Sequence, residues 1–167
     1  MTIVIAVSKW LESTSVSWAV RGGVPWIWPA CETLHFIGLC MLVGVIGAVD
    51  LRLLGALRGI PIRALERLVP WAVAGFILCA ATGTLFYIGA PGQYYTNNIF
   101  WTKIAFIAGA GANVLVFYAS GVARVVDRLP ADANTPLSAK LIGATSLVLW
   151  LGVVLWGRML PFLGGAF

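Results

Sequence analysis

Long apolar runs, separated by short polar stretches that carry most of the arginines, set the pattern of this chain. Four runs stand out, at about 28–49, 70–90, 99–120 and 138–158. Each is long enough for a helix to cross ~30 Å of hydrocarbon at ~1.5 Å per residue. The runs are apolar on every side, as suits helices surrounded by lipid and by one another. The pattern predicts an all-α integral membrane protein, an up-down-up-down four-helix transmembrane bundle forming one domain over 1–167. Ahead of the first run, Val4, Val7, Leu11 and Trp18 are spaced among Ser8, Lys9, Glu12 and Ser15. That spacing predicts an N-terminal interfacial amphipathic helix over about 3–20, lying flat on the membrane. Arg21-Gly22-Gly23 then breaks it, and Pro25, Trp26 and Trp28 lead into the first span at headgroup level.

Helix ends and packing seams are also written locally. Pro70 and Trp71 open the second span, Gly89, Pro91 and Gly92 close it, and Asn97 or Asn98 caps the third. Small residues recur every four positions as Gly75/Cys79/Gly83, Ala105/Gly109/Asn113 and Gly44/Ala48. Such ladders let helix backbones approach where lipid removes the hydrophobic drive to associate. One ladder is also available to a second copy of the chain, and a homo-oligomer is expected.

Composition agrees with the pattern. The chain is 60% hydrophobic and 10% charged over 167 residues, against roughly 25% charged in a soluble domain. A net charge of +5 suggests no nucleic-acid partner, because the cations follow the loops. Arg52, Arg58, Arg63 and Arg67 fall between spans one and two, and Arg124, Arg128 and Lys140 between spans three and four. Only Lys9 and Arg21 lie on the other side. The positive-inside rule then places both long loops in the cytoplasm and both termini outside. The N-terminus reads as no secretory signal, lacking a basic start and a small-residue cleavage site.

Few ionisable groups interrupt the spans: Glu32 and His35 on the first, Lys103 on the third, Arg158 closing the fourth. Charges in hydrocarbon cost a few kcal/mol each and mark a buried pair, a cavity or a cofactor site. Depth follows from helical rise: Glu32 lies roughly 6 Å and His35 roughly 10 Å past Trp28. Lys103, Arg158, Thr84 and Tyr87 arrive near the same level, so every helix delivers a polar group to one layer near the outer face.

That layer supports several chemistries. Glu32 and His35 share a helix face, but a di-iron site needs the Glu-x-x-His motif twice plus further carboxylates. Spans two to four hold no Asp or Glu, which excludes that site within one chain. Haem b is the more promising cofactor: His35 as the iron ligand, Gly38 beneath the macrocycle, Met159 or a second subunit's histidine opposite. Arg158 and Lys103 would then hold the propionates. The plainer arrangement is an ion-pair network joining Glu32 to Lys103 or Arg158. A pocket is the third, with Glu32, His35, Tyr87, Lys103 and Arg158 around a small anionic or aromatic ligand. Cys31, Cys40 and Cys79 lie within spans and read as packing residues. Asp50 and Arg52 read as a structural anchor at the cytoplasmic face, pairing with each other or with Arg128. No nucleophile elbow or nucleotide-binding glycine motif is present, and no catalytic residue is assigned.

The segment Glu32-Thr-Leu-His35, continuing to Asp50-Leu-Arg-Leu-Leu-Gly55, resembles a family of small four-span bacterial inner-membrane proteins without assigned activity. The resemblance extends through Pro70-Trp71 and from Phe100-x-x-Lys103 to Asn113. It implies a four-helix protein of the bacterial inner membrane in which Glu32, His35, Asp50, Arg52, Lys103 and Asn113 belong to the pattern. The His-x-x-Gly opening is loosely similar to membrane b-type cytochromes and copper-resistance membrane proteins. Two function classes stay open: a non-enzymatic binding, transport or accessory subunit, and a haem-binding membrane redox protein.

Overall fold

A computed structural model describes residues 2–163, with side chains from residue 5. The described chain is all helix and turn. In order it contains α1 (Thr2–Glu12), α2 (Ser15–Trp18), a π-helical turn (Ala19–Gly23), α3 (Ile27–Leu54), α4 (Ile62–Glu66) and α5 (Val69–Gly89). After these come α6 (Pro91–Tyr95), α7 (Asn98–Ala119), α8 (Val122–Asp127) and α9 (Leu137–Leu163). Helix α3, the stretch through α4 and α5, α7, and α9 are each long and apolar enough to cross a membrane. Their outward faces carry Phe36, Ile77, Leu115 and Leu151, each more than 60% exposed. Water would tolerate so much contiguous apolar surface poorly, whereas acyl chains solvate it.

The expected starts of the spans hold to within a residue or so, and the local signals explain them. Pro70 sits in the first turn of α5, where its missing N–H costs nothing. Asn97 caps α7, its side-chain oxygen accepting from Ile99 N at 2.9 Å. Helix α3 runs on past 49 to Leu54 and ends at Gly55, whose φ of 90° favours glycine. The single helix expected over 3–20 is divided instead. Ser13 and Thr14 interrupt it, and the Thr14 hydroxyl caps α2 by accepting from Ser17 N at 3.2 Å.

Glycine decides which helices touch. Helix α3 lies along α5 so closely that a Cβ on Gly38 would stand 2.8 Å from the Gly75 carbonyl oxygen and 3.0 Å from Cys79 Sγ. The Gly75/Cys79/Gly83 ladder is therefore the α3–α5 seam. Gly109 and Asn113 face α9, Gly109 against Leu149 and Asn113 donating from Nδ2 to the Ile142 carbonyl at 3.1 Å. Gly143 seats α9 on the backbone of Asp50 in α3. Gly44, by contrast, is exposed and meets nothing within 4 Å. Helices α3 and α9 thus form the middle, with α5 packed on α3 and α7 on α9. Between α5 and α7 there is no comparable backbone approach. Side chains fill that space: Leu42, Ala72, Ala110, Trp150 and Val153 make one core, with Phe106 and Ile107 against it.

The two long loops meet at one end of the molecule around Arg52, which is 1% exposed. Its Nε donates to the Ile60 carbonyl at 2.9 Å and its Nη2 to the Ala131 carbonyl at 2.6 Å. Thr135 adds a hydrogen bond to the Leu53 carbonyl. Asp50 and Arg52 do not form the expected ion pair, with each other or with Arg128: among the described residues neither has an opposite charge within 4 Å. The loops fold over Arg52 and supply carbonyls, while Asp50 turns toward Ser146 of α9.

At the opposite end the N-terminal segment docks on the bundle. Val20 is buried against Gly89, whose carbonyl accepts from Ser17 Oγ at 3.4 Å and Arg21 Nε at 3.0 Å. Trp10, Trp18 and Trp26 remain largely exposed there.

Candidate functional site

The seam that brings α3 to α5 also positions a pair of polar side chains within the spans. One turn beyond Gly38, the half-buried His35 ring reaches across to Thr82, Nδ1 lying 2.8 Å from Oγ1. The buried Thr82 hydroxyl spends its own hydrogen on the Leu78 carbonyl at 2.7 Å. With its hydrogen so assigned, the hydroxyl accepts from the histidine, Nδ1–H being the donor and the Nε2 lone pair being left for another partner. Cys79 donates its thiol to the His35 carbonyl at 3.4 Å, and Gly83 leaves room beside the ring. Phe86 covers another side, its ring centroid 5.8 Å from His35, with Trp28 packed on it in turn.

Lys103 enters from α7. Its ammonium lies against α9, where Gly157 admits it: a Cβ there would sit 3.3 Å from Nζ. No carboxylate lies within 4 Å of it among the described residues. The result is an imidazole on α3 and a half-buried cation on α7 that has no carboxylate within 4 Å among the described residues.

The other expected members of the layer are elsewhere. Glu32 is exposed and accepts from Trp28 Nε1 of its own helix at 3.2 Å. Arg158 is exposed and stacks over Phe162 at 5.0 Å. The expected Glu32 ion pair with Lys103 or Arg158 is not formed. Glu32 and Arg158 are turned outward, each toward an aromatic ring of its own helix. Met159 is half-buried on α9, and Thr84 is exposed, bonded back to the Ala80 carbonyl. Tyr87 belongs to an aromatic cluster, 6.1 Å from Tyr94 and 6.0 Å from Phe100 between ring centroids, which bridges the end of α5 and the start of α7. Burial pushes the Tyr94 phenol up from its ordinary pKa, and the nearby Glu32 carboxylate adds to the effect.

For haem the fit is divided. A histidine that donates through Nδ1 and offers Nε2 has the arrangement of a metal ligand. Yet Gly38, the expected floor of the macrocycle, is closed by Gly75 and Cys79, and Arg158 points away. Sequence reasoning missed Thr82, Cys79 and Phe86. The signal was present in their spacing, since Cys79, Thr82 and Gly83 share the face of the small-residue ladder. Compared with known proteins, the chain matches no family model, no curated protein and no solved structure, so the site rests on its own residues.

Proposed function

We propose that this is a bacterial inner-membrane protein that binds a small anionic or aromatic ligand between His35 and Lys103, acting as a non-enzymatic binding, transport or accessory subunit. The observation that carries the reading is Lys103, a half-buried ammonium with no carboxylate within 4 Å among the described residues. An uncompensated amine in apolar surroundings is a standing cost that a bound anion relieves. The Tyr87/Tyr94/Phe100 cluster supplies aromatic surface at the same level. The distribution of seven cations on the two long loops against two before the first span supports an up-down-up-down path with both termini outside. The exposed Trp10, Trp18 and Trp26 support an N-terminal segment lying in the interface. This fits the four-span family that the sequence resembles.

Benzoate, an anionic aromatic probe, tests the site by its effect on thermal unfolding in detergent. It should raise the midpoint of the wild type, and Lys103→Met should weaken binding about 10- to 100-fold by removing one charge-assisted hydrogen bond. The same variant should unfold no earlier than wild type without ligand, because an apolar side chain replaces an uncompensated charge. Equal benzoate response in both proteins, or a large loss of stability in the variant, would overturn the reading. The His35 tautomer favours haem as the second reading. A Soret band in protein purified from haem-supplied cells, lost in His35→Ala, would replace the first reading with the second.

A further inference from the structure

The arginine end carries a feature that a ligand site in the opposite half leaves unexplained. Chain direction changes between α7 and α8 at Gly121, whose φ of 77° is a left-handed conformation that side chains disfavour. The absent Cβ also makes room for the Arg124 guanidinium, whose Nη2 lies 3.3 Å from where that atom would be. Arg124 and Arg128 stand four apart on α8 and its end, so they share a face, and both are exposed. The one carboxylate of α8, Asp127, is taken by Arg63 of α4 at 3.0 Å. Among the described residues Arg124 and Arg128 have no carboxylate within 4 Å. They border an open hollow of about 520 Å³ with Gly121 and Val125. Arg128 also borders a neighbouring hollow of about 450 Å³ that reaches Arg63 and Pro61.

Below these cations the surface turns apolar. Val125 at the hollow is 53% exposed, and on α7 Tyr118 and Leu115, three apart and so on one face, are 61% and 71% exposed and form an apolar ridge. A soluble anion would satisfy the guanidiniums and leave the ridge unused. A diacyl phospholipid engages both, with its phosphate between the arginines and a chain on the ridge. We propose that the α8 hollow is a binding site for the headgroup of an anionic phospholipid. Asp127 is kept from repelling it by its bond to Arg63, and Gly121 gives Arg124 the freedom to fold over the phosphate. This inference is independent of the His35–Lys103 site.

The test is lipid titration of the detergent-purified full chain, reading retained lipid by native mass spectrometry. Phosphatidylglycerol, phosphatidylcholine and inorganic phosphate are the three probes. Two interfacial arginines should favour phosphatidylglycerol over phosphatidylcholine by about 30-fold. Arg124→Gln/Arg128→Gln should remove that preference while the lipid-free melting point stays unchanged. Arg67→Gln, which deletes an exposed cation at the same end, should retain it. Three outcomes would overturn the proposal: equal retention of the two lipids, equal loss in the Arg67 variant, or displacement of phosphatidylglycerol by millimolar inorganic phosphate. The second would indicate diffuse charge and the third a site for a soluble anion.

Discussion

Arg52→Ala should be the most destabilising single substitution at the loop end of the bundle, lowering unfolding free energy by about 3 kcal/mol or more. The guanidinium lies 1% exposed and donates to the carbonyls of Ile60 and Ala131, one from each long loop. Hydrogen bonds from a charged donor are worth about 1.5–3 kcal/mol each, and truncation removes one from each carbonyl. Neighbouring bonds depend on the same clasp. Gly59 N donates to the same Ala131 carbonyl at 3.2 Å, and Arg58 reaches Asn134 Oδ1 at 3.4 Å. Arg52→Lys should recover little, because one ammonium on a flexible stem cannot reproduce a planar fork aimed at two separate oxygens. Thermal unfolding in detergent measures the loss. Limited trypsin digestion should show earlier cleavage at Arg58 and Arg128 in the variant. An Arg52→Ala protein that unfolds and is cleaved like the wild type would show that the clasp contributes nothing.

Gly75→Ala should follow closely, at about 1–3 kcal/mol from overpacking. The added Cβ would lie 2.5 Å from the Gly38 carbonyl oxygen and 2.9 Å from Leu42 N. Both are backbone atoms, so no rotamer change gives relief and α3 and α5 must separate. Separation reaches the site directly, because His35 and Thr82 hang from the same seam one to two turns away. Gly75→Ala should therefore also weaken benzoate binding, although it removes no group that touches ligand. Gly44→Ala and Gly47→Ala provide the comparison on α3, since neither position has anything within 4 Å. They should change stability by no more than about 1 kcal/mol, toward greater helix stability. If all three variants melt together, the seam does not hold the helices as described.

These two residues also mark where reading the chain runs out. Gly75 was visible as part of a ladder, and so were Gly44 and Gly109. Spacing alone does not say that Gly75 meets α3, Gly109 meets Leu149 of α9 and Gly44 meets nothing. Arg52 had the look of a surface anchor, because the residues that bury it come from 8 and 79 positions away. Lys103 was recognisable as a charge in an apolar span. That it lies beside Gly157, while Glu32 and Arg158 face outward, was not.

The division has one physical origin. Long apolar runs settle where helices form, because lipid offers no partner for backbone N–H and C=O groups and each segment must bond within itself. Proline, asparagine and glycine set the ends locally, and charges within apolar runs single out Glu32, His35, Lys103 and Arg158. All of this was determined by the sequence alone. Rotation about each helix axis is different, because every face of these segments is apolar and lipid accepts any of them. Only close packing chooses between faces. Once Gly38 and Gly75 let α3 and α5 touch, His35 is turned onto Thr82 and Glu32 outward. Once Gly157 leaves space on α9, Lys103 is drawn inside, and the site exists only in the assembled bundle.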